Sequence, residues 1–137
     1  MIGLLLKLKK KEKCMRVLLS IKPEFAEKIL NGSKRYEFRK QGFSKSVDTV
    51  ILYATKPVGK IVGEFKLKKV HEGMPEQIWR QTSEFAGINK EFFDAYYHNR
   101  SKAYALEAEK AVRYAEPLEP NKFMSDFVAP QSYRYIP

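Results

Sequence analysis

The chain has 137 residues, about the size of a single domain built on one core. With 44% hydrophobic and 13% aromatic residues it is too apolar for intrinsic disorder, and its single cysteine, Cys14, excludes a disulfide framework and a Cys-x-x-Cys metal knuckle. The 26 Lys and Arg against 16 Asp and Glu leave a net +10, with +12 in residues 1–70 and −2 in residues 71–137. Such an excess suits a polyanionic partner, nucleic acid ahead of membrane, because no long basic amphipathic helix is present to lie on lipid. A solubilising surface is the plainer alternative. Composition therefore points to a soluble protein of a reducing, cytoplasmic compartment.

Residues 1–14 form a basic leader carrying Lys7, Lys9, Lys10, Lys11 and Lys13. Its apolar part, Ile2 to Leu6, is too short for a signal peptide or a membrane span, and the leader is expected to be a flexible arm or the product of an upstream start. The domain proper is expected over 15–137, with a net charge of +6. Met15 to Ile21 reads as a buried strand. Lys22-Pro23 then leads a helix through Leu30, with Phe25, Ala26, Ile29 and Leu30 at helical spacing, and Asn31-Gly32 stops it. From Lys34 to Lys40 the pattern alternates, placing Tyr36 and Phe38 on one face and Arg35, Glu37 and Arg39 on the other.

A β-branched run from Val47 to Thr55 and an alternating run from Gly59 to Val70 predict two further strands, the second with glycines that allow bending or close backbone approach. Pro75 to Thr82 and Lys90 to Tyr97 predict two short helices, the latter capped by Asn89. Its stripe of Phe92, Phe93, Tyr96 and Tyr97 is assigned to packing, because a short helix is stabilised mainly by burying one face. Alternation returns from Ala103 to Tyr114, and after a proline-rich stretch a last short strand is expected from Ser132 to Ile136. The whole predicts an α+β fold, a mixed β-barrel of five to six strands with short helices at its ends.

Neither a Gly-x-Gly-x-x-Gly fingerprint, nor a Walker loop, nor a Gly-x-Ser-x-Gly elbow occurs, and His71 and His98 have no companions at metal-ligand spacing. No cofactor and no metal site are expected. The densest cluster of polar groups runs from Ser20 and Lys22 through Gly32, Lys34, Glu37 and Arg39. Gly32 lets the chain turn closely, Lys34 offers a point charge, and Arg39 offers a planar fork for phosphate or a base edge. Glu37 could orient Arg39 or accept a hydrogen bond from an exocyclic amine. An ion-pair ladder with no ligand is the structural alternative.

The order and spacing Gly32-x-Lys34-x-x-Glu37-x-Arg39 resembles the hallmark of the ASCH family, related to the PUA-like RNA-binding fold and named for homology to activating signal cointegrators. The Lys-Pro-led helix, Tyr53-Ala54-Thr55-Lys56-Pro57, Val62-Gly63-Glu64 and Pro130-Gln131-Ser132 extend the resemblance over residues 15 to 136 and point to a small bacterial or archaeal member. It implies a PUA-like barrel with a cleft that receives RNA or a modified nucleoside or nucleotide. Ser20, Lys22, Tyr53, Thr55, Gln131 and Ser132 would stand around Lys34, Glu37 and Arg39, although turn chemistry and capping alone would account for Ser20, Lys22 and Thr55.

Some similar small family members are amidohydrolases acting on N4-acetylcytidine and others are ribonucleases. In an enzyme of that kind Lys34 would be the catalytic lysine, with Glu64 as the nearest acidic candidate. This chain departs from the amidohydrolase pattern by placing Glu37 where a hydroxyl residue is expected. A carboxylate beside Lys34 should keep it protonated and favour anion binding. Binding therefore ranks ahead of catalysis, and a protein partner, suggested only by the family's name, comes third.

Overall fold

A computed structural model describes residues 14–137, so the expected leader lies, apart from Cys14, outside the described residues. In chain order the elements are β1 (Met15–Ile21), α1 (Pro23–Leu30), β2 (Tyr36–Arg39), β3 (Val47–Ala54), β4 (Lys60–Gly73), α2 (Pro75–Thr82), a 3₁₀ turn (Ser83–Phe85), α3 (Lys90–Tyr96), β5 (Ala103–Leu118), α4 (Pro120–Phe123) and β6 (Tyr133–Ile136). Six strands form one sheet in the order β2-β5-β4-β3-β1-β6. β1 and β3 run parallel, and the other neighbours are antiparallel. The α+β class agrees with the sequence, but the two outer strands, β2 and β6, share no ladder, so the curl stops at a half-barrel.

The central strands show why their sequences lack alternation. Val17, Leu18, Leu19 and Ile21 of β1, and Val50 through Ala54 of β3, are buried on both faces of the sheet. α1 is the crossover that a parallel β1–β3 pair needs. Pro23 opens it where an N–H would have no helical partner, and Ala26 and Ile29 fasten it to Val17, Leu19, Val50, Leu52 and Phe65. Gly32 ends it at φ +87°, a conformation disfavoured for any residue with a Cβ, while Asn31 Oδ1 accepts from the Ser33 amide at 2.9 Å. On the opposite face of the sheet, Leu18, Ile51, Tyr53, Ile61 and Ile136 are covered by Phe123, Met124 and Phe127 of the tail. The helical segment between β4 and β5 packs Ile78, Ala86, Phe93 and Tyr97 against Phe38, Ala103 and Ala105.

β4 and β5 form a long antiparallel ribbon, and β5 runs four residues past the predicted end at Tyr114. That extension is exposed on both faces and interrupted by register shifts, so no period of two survives in its sequence. Pro117 is tolerated there because β2 pairs only with Tyr104 to Glu107, so among the described residues one edge of the later part of β5 has no ladder. The short α4 had no signal in the sequence because four residues cannot display a helical period.

Gly63 sits where β4, β5 and α1 meet. A Cβ on it would lie 2.5 Å from the Val112 carbonyl oxygen and 2.8 Å from a methyl of Leu30. The carbonyl belongs to the ladder and cannot swing away. Gly63→Ala is expected to lower stability by ~1–3 kcal/mol, read as a reduced urea midpoint; an unchanged midpoint would show that the ribbon and helix can separate without cost.

Candidate functional site

The parallel register sets the ends of β1 and β3 side by side, with Ile21 opposite Ala54 and the Thr55 amide donating to the Ile21 carbonyl at 3.0 Å. Ser20, Lys22 and Thr55 consequently border one opening. The turn after α1 brings Lys34 beneath it, and the alternation of β2 turns Glu37 and Arg39 the same way. The result is an open cleft of about 380 Å³, within the range of small-molecule sites. Its walls are mainly apolar, with Phe25, Phe38, Ile88, Phe92 and Tyr96, and Gln131 stands at its polar rim.

Lys34 is 1% exposed. Its Nζ donates to the Ala86 carbonyl at 2.6 Å, lies 3.7 Å from Glu37 Oε1, and stands 4.8 and 5.3 Å from the ring centres of Phe38 and Phe25. The other carboxylate oxygen of Glu37 accepts from Arg39 Nε at 3.1 Å and Nη2 at 2.7 Å. Arg39 Nη2 also donates to the Ser20 carbonyl at 2.8 Å, and Nη1 to Ser132 Oγ at 3.3 Å. Two edges of the guanidinium are thus engaged within the protein, and the fork is turned to Glu37 rather than outward. Arg39 is a strut joining β2 to β1 and to the segment before β6.

The ionisation of Lys34 reverses an expectation. Burial moves its pKa down from the ordinary 10.5 to about 8, outweighing the opposing attraction of Glu37, while Lys28 and Arg39 push in the same direction as burial. Arg35 does not join Glu37 and Arg39 in the cleft: its guanidinium stands 3.9 Å from the centre of the Phe85 ring and it borders a separate depression. A carboxylate at 3.7 Å does not hold this ammonium at its solution pKa when nearly all of its water has been removed.

Other predicted site residues lie elsewhere. Tyr53 is 6% exposed, with its ring 5.0 Å from Phe127 in the core on the opposite face, and does not line the cleft. Glu64 accepts a hydrogen bond from the Tyr114 hydroxyl at 2.8 Å and is also outside the cleft. Gly32 borders a separate depression with Arg35 and Glu107, so its contribution is the turn that delivers Lys34. Ser132 does not line the cleft, but its hydroxyl meets Arg39 and its carbonyl accepts from the Ser20 amide at 2.9 Å. Ser20 is half-committed: its hydroxyl donates to the Pro130 carbonyl at 2.6 Å and its carbonyl serves Arg39.

The aromatic stripe of α3 splits. Phe93 and Tyr97 are core residues, whereas Phe92, 40% exposed, and half-buried Tyr96 line the cleft. Sequence reasoning missed these two, together with Phe25 and Ile88. Periodicity carries no signal that separates the two pairs, since residues 92, 93, 96 and 97 all fall on one side of the helix. His71 is paired with Glu107 at 2.7 Å, and among the described residues no group of three or more His, Cys, Asp or Glu side chains could hold a metal ion. No helix among them is long and apolar enough to cross a membrane.

The lowered pKa of Lys34 has a consequence for stability. Between about pH 8 and 10.5 the folded chain has released this proton while the unfolded chain still holds it, so stability should rise with pH across that window. Below it, both states are protonated and burial costs the fold about 3 kcal/mol. Lys34→Met abolishes this titration, so the stability gap between the two proteins should shift in the parent's favour from about pH 8 to 10.5. Urea midpoints of the two proteins compared from pH 7 to 10.5 check this, and a pH-independent gap would refute it.

A family model described as the ASCH domain matches residues 19–119. The chain is 32% identical over 129 residues to large ribosomal subunit protein uL22 of Ureaplasma parvum, covering 93% of this chain but only 41% of that protein, so it spans about two-fifths of that relative's length. It is 26% identical over 126 residues to an ASCH domain-containing ribonuclease of Zymomonas mobilis, covering 87% of this chain and 82% of that protein. The crystal structure of ASCH from Zymomonas mobilis superposes with a TM-score of 0.82 at 24% identity, covering 89% of this chain and 87% of that one, which shows a shared fold. With its family model spanning most of the sheet and the helical segment, the chain belongs to the ASCH domain family.

Proposed function

We propose that the protein binds RNA, or a modified nucleoside or nucleotide derived from it, by taking one unpaired base into the cleft. The observation that carries this reading is a buried ammonium, Lys34, at the floor of an open cleft walled by aromatic rings. Phe92 and Tyr96 offer stacking faces at the wall. Lys34 Nζ has a proton to donate to a base carbonyl, and Glu37 has a carboxylate to accept from an exocyclic amine. Arg39 contributes by fixing Glu37 and the ends of the neighbouring strands. The Zymomonas relative's name, a ribonuclease, favours RNA among polyanions, and the positive charge of the first half would steer the strand to the protein.

Base stacking of this kind is worth about 1–3 kcal/mol per base. Phe92→Ala should weaken binding of single-stranded RNA by about that amount, measured by titration at fixed salt. Affinity unchanged in this variant would remove the cleft from the binding surface.

Hydrolysis is the second reading, favoured by the pKa of about 8 for Lys34. Near that pH about half of the lysine is neutral, so it could take a proton from water or from a hydroxyl. The carboxylate available to it is Glu37, since Glu64 is engaged with Tyr114. On this reading the rate of RNA cleavage, or of acetate release from N4-acetylcytidine, should rise about tenfold per pH unit below pH 8, level off above it, and vanish in Lys34→Met. A panel of RNAs and acylated nucleosides left intact by the parent protein would retire catalysis and leave binding standing.

A further inference from the structure

Two exposed lysines flank the cleft on the side of α3. Phe92 and Tyr96, both in the cleft wall, are one helical turn apart, about 5.4 Å along the axis. Lys22, from the β1–α1 junction, holds its ammonium 5.5 Å from the centre of the Phe92 ring, and Lys40, just after β2, holds its own 4.6 Å from the centre of Tyr96. A ring face positions an ammonium without cancelling its charge. Neither lysine forms an ion pair with a carboxylate among the described residues. Lys90 of the same helix differs: it bonds Glu76 and Asp94, so charge on that part of the helix surface is neutralised. Unpaired cations occur elsewhere, but among the exposed cations of the described residues only Lys22 and Lys40 stand over rings that line the cleft.

We propose that Lys22 and Lys40 bracket two successive phosphates of a strand running along α3, so that the cleft takes an internal nucleotide of single-stranded RNA rather than a free nucleoside. The inference rests on the base-binding reading above and adds the partner's chain length and direction of travel. Two cations, each seated over one of two rings that lie a helical turn apart in sequence and line the cleft, match a nucleotide whose base turns inward while its phosphates stay in solvent. Lysine suits this task because it acts on phosphate as a point charge and needs no fixed fork geometry.

The test compares the four common ribonucleosides with single-stranded oligoribonucleotides of six residues, titrated into the parent protein, Lys22→Ala, Lys40→Ala and the corresponding Arg variants at several salt concentrations. The oligomers should bind the parent at least about tenfold more tightly than the nucleosides. Each Ala variant should flatten the dependence of log K on log salt by about 0.7, the contribution of one single-strand phosphate contact, and each Arg variant should retain the parent's slope. Nucleosides that bind as well as oligomers, or Ala variants with the parent's slope, would overturn the bracket while leaving the base-binding cleft intact. A parent protein that binds neither class of ligand would overturn both.

Discussion

The buried ammonium of Lys34 is the constraint on which the rest of the site depends. Water has been stripped from a charged group, and three parts of the fold replace it: the Ala86 carbonyl from the helical segment, Glu37 from β2, and the ring faces of Phe25 and Phe38. An ion removed from water without such partners would cost several kcal/mol, so these elements must arrive together. Docking the helical segment and building the floor of the cleft are accordingly one event. Gly87 marks how close the approach is: at φ +69°, a Cβ there would fall 2.6 Å from the aliphatic stem of Lys34.

Glu37 divides its oxygens between two cations, one facing Lys34 and one held by Arg39. That arrangement couples the floor of the cleft to the seam between the outer strands. β2 and β6 do not share a ladder, and the gap is spanned by side chains: Arg39 reaches Ser20 and Ser132, the Tyr133 hydroxyl reaches the Gly42 carbonyl, and the Tyr135 hydroxyl accepts from the Ser44 amide. A seam closed by side chains rather than by a ladder lies beside a cleft that is open to solvent at its rim. It explains why Arg39, an apparent phosphate ligand in the motif, is spent on architecture.

The local pattern of the chain was legible wherever one face of an element is buried and the other is not. The alternation of β2 placed Glu37 and Arg39 together, the Pro23 start and the Gly32 stop bounded α1, and the continuous apolar runs of β1 and β3 marked the centre of the sheet. Where burial departs from that rule the reading failed. Tyr53 has its polar end near the loops but its ring in a second core beneath the tail, and the tail carries no period that would announce this packing. The later part of β5, exposed on both faces, reads as loop. The four aromatics of α3 looked like one stripe because periodicity identifies neighbouring positions on a helix without indicating which of them meets a core and which meets a cavity.

Sequence alone determined the positive charge of the first half, the strand and helix periods, and the spacing that sets Lys34, Glu37 and Arg39 on one short segment, because all of these are properties of neighbours along the chain. The environment of those three side chains was decided only by tertiary structure. Ala86 is 52 residues from Lys34 and Ser132 is 93 from Arg39. Solvation depends on everything that packs around a group, so a lysine that reads as a surface cation in its segment became a buried one, with a lowered pKa, when the helical segment closed over it.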